Sequence, residues 1–215
     1  MKILFFGDSI TDASRNRDKH ASTSCSALGT GFVMQIAGRL FEKSPTDYQI
    51  INQGISGNRI VDLYARVKKD CWNLEPDVIS ILIGINDIWH ELEVQNGVDP
   101  ERFEKVYRML LEDTVARLPR TKLMICAPFV LPGSATEAHM DAFGECAIYA
   151  EIAERLAKEF GAEFLPLQGV FDEAAAKYGA DVLLADGVHP TVQGAVLIAR
   201  EWLKKFEKIE KEIQA

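Results

Sequence analysis

The chain has 215 residues, 47% of them hydrophobic, and a formal net charge of −8. No Pro/Gly/Ser-rich linker divides it, so one domain spanning 1–215 is expected, with apolar content sufficient for a core that needs no metal or disulfide. Lys and Arg are interspersed with Asp and Glu, which leaves no basic stripe for nucleic acid and no attraction to an anionic membrane surface; a neutral small molecule is the expected partner.

The apolar run at residues 3–6 reads as the first strand. It is too short for a signal peptide, and no run approaches the roughly 18 apolar residues of a membrane span. A cytoplasmic protein is therefore expected, with Cys25, Cys71, Cys126 and Cys146 as free thiols, since none belongs to a C-x-x-C pair. The strand ends in Gly7-Asp8-Ser9-Ile10-Thr11, where packing residues give way to polar ones. Ser9 is a candidate nucleophile; alternatively, Asp8 or Ser9 caps a helix.

Residues 12–30 form a long polar stretch carrying Arg15, Arg17 and His20, which reads either as a functional loop or as disorder. Helical spacing runs over 32–43, and 48–52 is a second strand. A turn with Gly54 and Gly57 follows, then a helix from Ile60 to about Val67. Pro76 precedes a strand at 77–83 that is apolar on both faces, as in a parallel sheet covered on each side, and it ends in Gly84-Ile85-Asn86-Asp87. Beyond it the pattern predicts an acidic loop at 91–100, a helix at 103–118, a strand at 122–127 and a Pro/Gly/Ser loop. A long helix at 138–160 follows, with Phe143, Ile148, Ile152 and Leu156 inward. The chain closes with a short strand at 163–167, a helical turn or two at 170–178, and a helix at 191–213 capped by Thr191.

Strands alternating with helices in this way predict a doubly wound α/β sheet, whose site lies outside the carboxyl ends of the strands. Ser9, Gly57 and Asn86 then share one rim. A serine hydroxyl is a weak nucleophile and needs a base held by a third group. Among His20, His90, His139 and His189, the last stands in Asp186-Gly187-Val188-His189-Pro190, a tight turn with a carboxylate three residues before the imidazole. Asp186 would accept from Nδ1 while Nε2 faces Ser9. The plain alternative is a turn followed by a helix start. A metal-binding D-x-x-H lacks a third His or Cys at ligand spacing, so no metal and no cofactor are expected. Acyl transfer also develops negative charge on oxygen, and the Ser9 N–H, the Gly57 N–H and the Asn86 amide lie where donors to it are wanted. Singly, Gly57 reads as a turn glycine and Asn86 as a cap.

Taken in order, Gly7-Asp8-Ser9-Ile10-Thr11, Gly54-Ile55-Ser56-Gly57-Asn58, Gly84-Ile85-Asn86-Asp87 and Asp186-Gly187-Val188-His189-Pro190 resemble the four sequence blocks of the GDSL or SGNH hydrolases, over nearly the whole chain. The resemblance implies a three-layer α/β/α flavodoxin-like sandwich with a five-stranded parallel sheet. It also implies Ser9, Asp186 and His189 as catalytic residues and Ser9, Gly57 and Asn86 as the oxyanion hole. Within that family the chain is most similar to intracellular acetyl-xylan esterases, sharing also Ala27-Leu28-Gly29-Thr30-Gly31 and Ile88-Trp89. This implies deacetylation of xylo-oligosaccharides or related acetylated sugars, and assembly into a homo-oligomer. Those relatives carry a tryptophan before the aspartate; here Ala185 stands there and Gly187 replaces a larger residue, which predicts a wider pocket. Substrate contacts are expected from Asp8, Arg15, Asn58, Arg59, Trp89 and the 128–139 loop. Alternative readings are a short-chain acyl esterase, thioesterase or lysophospholipase-type hydrolase, and a non-catalytic binding module of the same fold.

Overall fold

The structure, a computed structural model, describes residues 1–18 and 24–214. Five parallel strands form one sheet in the order β2-β1-β3-β4-β5: β1 Lys2–Gly7, β2 Gln49–Gly54, β3 Val78–Leu82, β4 Lys122–Cys126 and β5 Glu163–Leu165. The strand order reverses at β1, from which the chain passes first to β2 on one side and then back to β3 on the other. This is the flavodoxin-like order, with its crevice between β1 and β3. The register sets Gly7, Gly54 and Leu82 level with one another, so the segments carrying Ser9, Gly57 and Asn86 leave the sheet at one rim.

Short helices α1 (Ser9–Asp12) and α2 (Cys25–Leu28) precede α3 (Phe32–Lys43); α4 is Ile60–Asp70, α5 Ile85–Val94 and α6 Pro100–Arg117. They are followed by α7 (Met140–Phe143), α8 (Cys146–Glu159), α9 (Leu167–Tyr178), α10 (Ala180–Leu183) and α11 (Val192–Gln214). One sheet face packs on α3 and α11: the Phe5 ring lies 5.8 Å from Phe32 and 5.1 Å from Trp202, which stacks on Phe206 at 4.8 Å. Ser80, the polar residue inside the otherwise apolar β3, is buried there and accepts from Trp202 Nε1 at 2.9 Å, so the strand's hydroxyl is not left unpaired in the core. On the opposite face Arg66 of α4 lies over Phe6, 4.3 Å from the ring centroid, and Phe103 of α6 meets Tyr149 of α8 edge-on at 4.9 Å.

All five expected strands form, the last ending at Leu165, where Pro166 leads into α9 as its N-cap residue. Helical structure differs in four places. Part of the stretch read as an acidic loop at 91–100 belongs to α5 and to the start of α6; Glu91, Leu92, Glu93 and Val94 form an exposed last turn that carries no buried stripe to announce a helix. The helix expected over 138–160 is broken near Gly144, and Ile148 is 44% exposed while its neighbour Tyr149 turns inward. The helical turn at 170–178 begins earlier, at Leu167, and is followed by α10. The polar stretch at 12–30 contains part of α1 and all of α2, and its residues 19–23, with His20, lie outside the described residues. The four cysteines are free, and burial pushes the thiols of Cys71, Cys126 and Cys146 up to about 12. Among the described residues no helix is long and apolar enough to cross a membrane.

Candidate active site

Ser9 opens α1 directly beyond β1, and Asp8 caps the turn by accepting from Ile10 N–H at 2.9 Å. Asp8 is therefore the cap, and Ser9 follows it as the first residue of α1. Ser9 Oγ lies 2.9 Å from His189 Nε2, and His189 Nδ1 lies 2.6 Å from Asp186 Oδ2. With Nδ1–H donating to Asp186 Oδ2, Nε2 is left to accept from the serine hydroxyl. The other Asp186 oxygen accepts the backbone N–H groups of Val188 and His189 at 2.9 and 2.8 Å. Burial works to raise the Asp186 carboxyl, but these N–H groups and the imidazole outweigh it and hold the group below its ordinary range.

Asp186 is fixed from outside by a loop whose role spacing alone did not reveal. Leu131 N–H donates to Gly187 O and Ala135 N–H to Asp186 O, both at 2.9 Å, and the buried Thr136 hydroxyl donates to Leu131 O at 2.6 Å. Gly187 has φ +101°, and a Cβ there would meet Leu131 O at 2.6 Å and press on Thr136 Oγ1 more closely still. The missing side chain at 187 therefore does not widen the pocket as expected; its space is filled by the 128–139 loop. Ala185 is exposed.

Asn86 lies in the first turn of α5, buried, with Nδ2 donating to Asn58 O at 3.1 Å. That bond ties β3's rim to the Gly57 turn. Gly57 has φ +81°, and a Cβ on it would only approach His90, at 3.8 Å. Among the described residues neither the Ser9 N–H nor the Gly57 N–H has an acceptor. Arg66, absent from the sequence reading, braces this corner: Nε donates to Asn58 Oδ1 at 2.7 Å and Nη2 to Gly7 O at 3.1 Å. A D-x-x-H spacing also occurs at Asp87 and His90, but on a helix, where Asp87 turns inward to accept from Ile60 N–H at 3.1 Å and no hydrogen bond joins the two among the described residues.

The residues expected to contact substrate divide. Asp8 is 1% exposed and serves the turn. Arg59 is taken up by Asp62 and Asn96 O, and the Asn58 side chain by Arg66. Trp89 stands against the site, its ring 5.8 Å from His189 and 5.9 Å from Phe143. Arg15 is 7% exposed and bonded to Gly54 O, yet it reaches a cavity of about 720 Å³ that opens beside Ser9 and His189, lined also by Arg17, Thr30, Phe32, Ser56 and Val192.

Two further carboxyls lie under the rim. Burial pushes Asp8 up to about 7 against the Ile10 N–H and His189, and Asp87 up to about 8 against the Ile60 N–H, with Asp8 adding to the rise. Both retain protons in the fold that they release on unfolding. Their contribution to stability is therefore full below the unfolded value near 3.8 and is lost as pH rises through about 7 and 8. Melting temperatures between pH 5 and about 8.5 should fall less steeply for Asp87→Asn, which keeps an acceptor for Ile60; parallel curves would contradict the assignment. Gly187→Ala should lower unfolding free energy by on the order of 2 kcal/mol in denaturant titration, through forced φ and the clash with the 128–139 loop.

The GDSL-like lipase/acylhydrolase family model matches residues 5–197. An acetylxylan esterase of Geobacillus stearothermophilus is 33% identical over 95% of this chain and 93% of its own. A solved structure from Parabacteroides merdae, assigned to the GDSL-like lipases, superposes with a TM-score of 0.91 at 37% identity, covering 95% of this chain and 94% of that one. The acetylxylan esterase Axe2 of G. stearothermophilus superposes at 0.85 with 31% identity, over 95% and 93%. Its catalytic mutants of known structure include replacements of a serine, a histidine and an aspartate by alanine. With the family's fold and sequence blocks running through nearly its whole length, this chain belongs to the GDSL-like lipase/acylhydrolase family and is a serine carboxylic-ester hydrolase.

Proposed function

We propose that the chain removes O-acetyl groups from saccharides, xylo-oligosaccharides in particular, through an acyl-serine intermediate. The observation that carries the mechanism is the continuous relay from Ser9 Oγ to His189 Nε2 at 2.9 Å and from His189 Nδ1 to Asp186 at 2.6 Å, beside an open cavity. Similarity to an acetylxylan esterase supports the substrate class, and the serine, histidine and aspartate replaced in the catalytic mutants of Axe2 support the roles given to Ser9, His189 and Asp186.

Ser9 Oγ attacks the ester carbonyl while its proton passes to His189 Nε2, and Asp186 holds the resulting imidazolium. Negative charge forming on the carbonyl oxygen is met by the Ser9 N–H, the Gly57 N–H and the second amide proton of Asn86. The alkoxide leaves with the proton from His189. Water then attacks the acetyl-serine, giving its proton to His189; acetate departs and Ser9 regains a proton. Only a small-molecule ester and water take part.

Asn86→Ala should lower kcat on the order of 10²–10³ while its circular dichroism stays that of the parent, since a donor to the developing charge is lost; unchanged kcat would remove Asn86 from the oxyanion hole. The substrate class is tested by acetate release from acetylated xylo-oligosaccharide, run beside p-nitrophenyl acetate and butyrate. The saccharide and the aryl acetate should both be turned over. Turnover of the aryl esters alone would overturn the saccharide assignment and leave the esterase.

A further inference from the structure

The cavity beside Ser9 far exceeds an acetyl group, so most of it faces the alcohol part of the ester. Its wall carries charge that deacetylation does not use. Arg15 lines it with Nε donating to Gly54 O at 2.8 Å and Nη2 to Gln53 Oε1 at 3.2 Å, while the buried Nη1 has no acceptor. An unpaired charged donor in a buried wall is costly, and a ligand acceptor is one way to relieve it. Arg17 lines the same wall with a side chain 52% exposed. It is tethered by Nη2 to Asp12 Oδ2 at 2.5 Å, and among the described residues its Nε and Nη1 have no partner.

Among the described residues, Asp12 is the cavity's one acidic lining residue. Its oxygens already accept the N–H groups of Arg15 at 3.1 Å and Ser56 at 3.0 Å besides Arg17. Two fixed guanidinium groups thus face one carboxylate whose lone pairs are largely used, and the cavity wall holds a surplus positive charge in a chain of net charge −8. Saccharide hydroxyls could accept from these donors but would leave the charge uncompensated. A carboxylate does both, and guanidinium geometry suits it.

We infer that this wall is the alcohol-side subsite and that Arg17, backed by Arg15, selects acetyl esters whose alcohol part carries a carboxylate, as in a saccharide bearing a uronic acid. The inference rests on the deacetylase reading above. Arg17 is the specificity-determining residue because its free donors are accessible, whereas Arg15 is held by β2's end.

The test compares kcat/KM for acetylated xylobiose with that for the same acetylated backbone bearing a glucuronic acid branch, in the parent, Arg17→Gln and Arg17→Lys, with p-nitrophenyl acetate as reference. The parent should prefer the acidic substrate by about tenfold, the worth of one charge-assisted hydrogen bond, with the difference in KM. The preference should shrink as salt is raised, a reading that needs no variant. Arg17→Gln should bring the two substrates to parity, and Arg17→Lys should retain part of the gap. Equal kcat/KM in the parent, or a preference that Arg17→Gln leaves intact, overturns the inference while the deacetylase reading stands. If p-nitrophenyl acetate is hydrolysed and neither saccharide is, both fall.

Discussion

The contact between Ser9 Oγ and His189 Nε2 joins residues 180 apart in sequence, and a hydroxyl and an imidazole at the surface have little intrinsic reason to stay 2.9 Å apart. A single such hydrogen bond contributes only about 1 kcal/mol net. Its geometry is therefore inherited from what stands behind each partner. Behind Ser9 is β1 in the middle of the sheet, ending in an Asp8 cap. Behind His189 are Pro190, the Thr191 cap whose hydroxyl accepts Gly194 N–H at 3.2 Å, and α11, anchored through Trp202 to β1 and β3.

The rim is held by buried polar ties rather than by apolar packing. Asn52 donates to Thr11 O and Leu28 O at 2.7 and 2.8 Å, Arg15 reaches Gly54 O, Arg66 joins Gly7 O to Asn58, and Asp87 caps the helix that follows the Gly57 turn. Each tie joins residues in or just beyond different strands among β1, β2 and β3. Hydrogen bonds fix direction as well as distance, which apolar contact does not, and an oxyanion site depends on direction. The cost is visible in the carboxyls of Asp8 and Asp87, both pushed towards the protonated form by burial.

Strands were legible because a parallel sheet covered on both faces writes continuous apolar runs, and all five stand where those runs are. Ser9, Asp186 and His189 were legible because turn chemistry keeps them close to glycine or proline. Helix α5 was not, since its outer turn is exposed all round and its inner turn coincides with a strand-end motif. Arg66 and Thr136 could not be found from spacing: one is an arginine on an ordinary amphipathic helix, the other a threonine in a loop, and each matters through the backbone oxygen it reaches. Gly187 was misread for the same reason. Its small size answers a neighbouring loop and not a ligand. Arg59 looked like a rim residue by position, but Asp62 three residues on captures it, as local ion pairs on a helix do.

The seat of His189 at the head of α11 also bears on the order in which the molecule is made. Ser9 and His189 are 180 residues apart, whereas β1 and its sheet neighbours β2 and β3 all lie in the first 82 residues. Closing so long a loop is slow relative to local helix and turn formation. Ser9 and His189 therefore come together only once α11, which His189 precedes, is docked on the sheet. The pairing is thus a property of the completed fold and of no single segment of it.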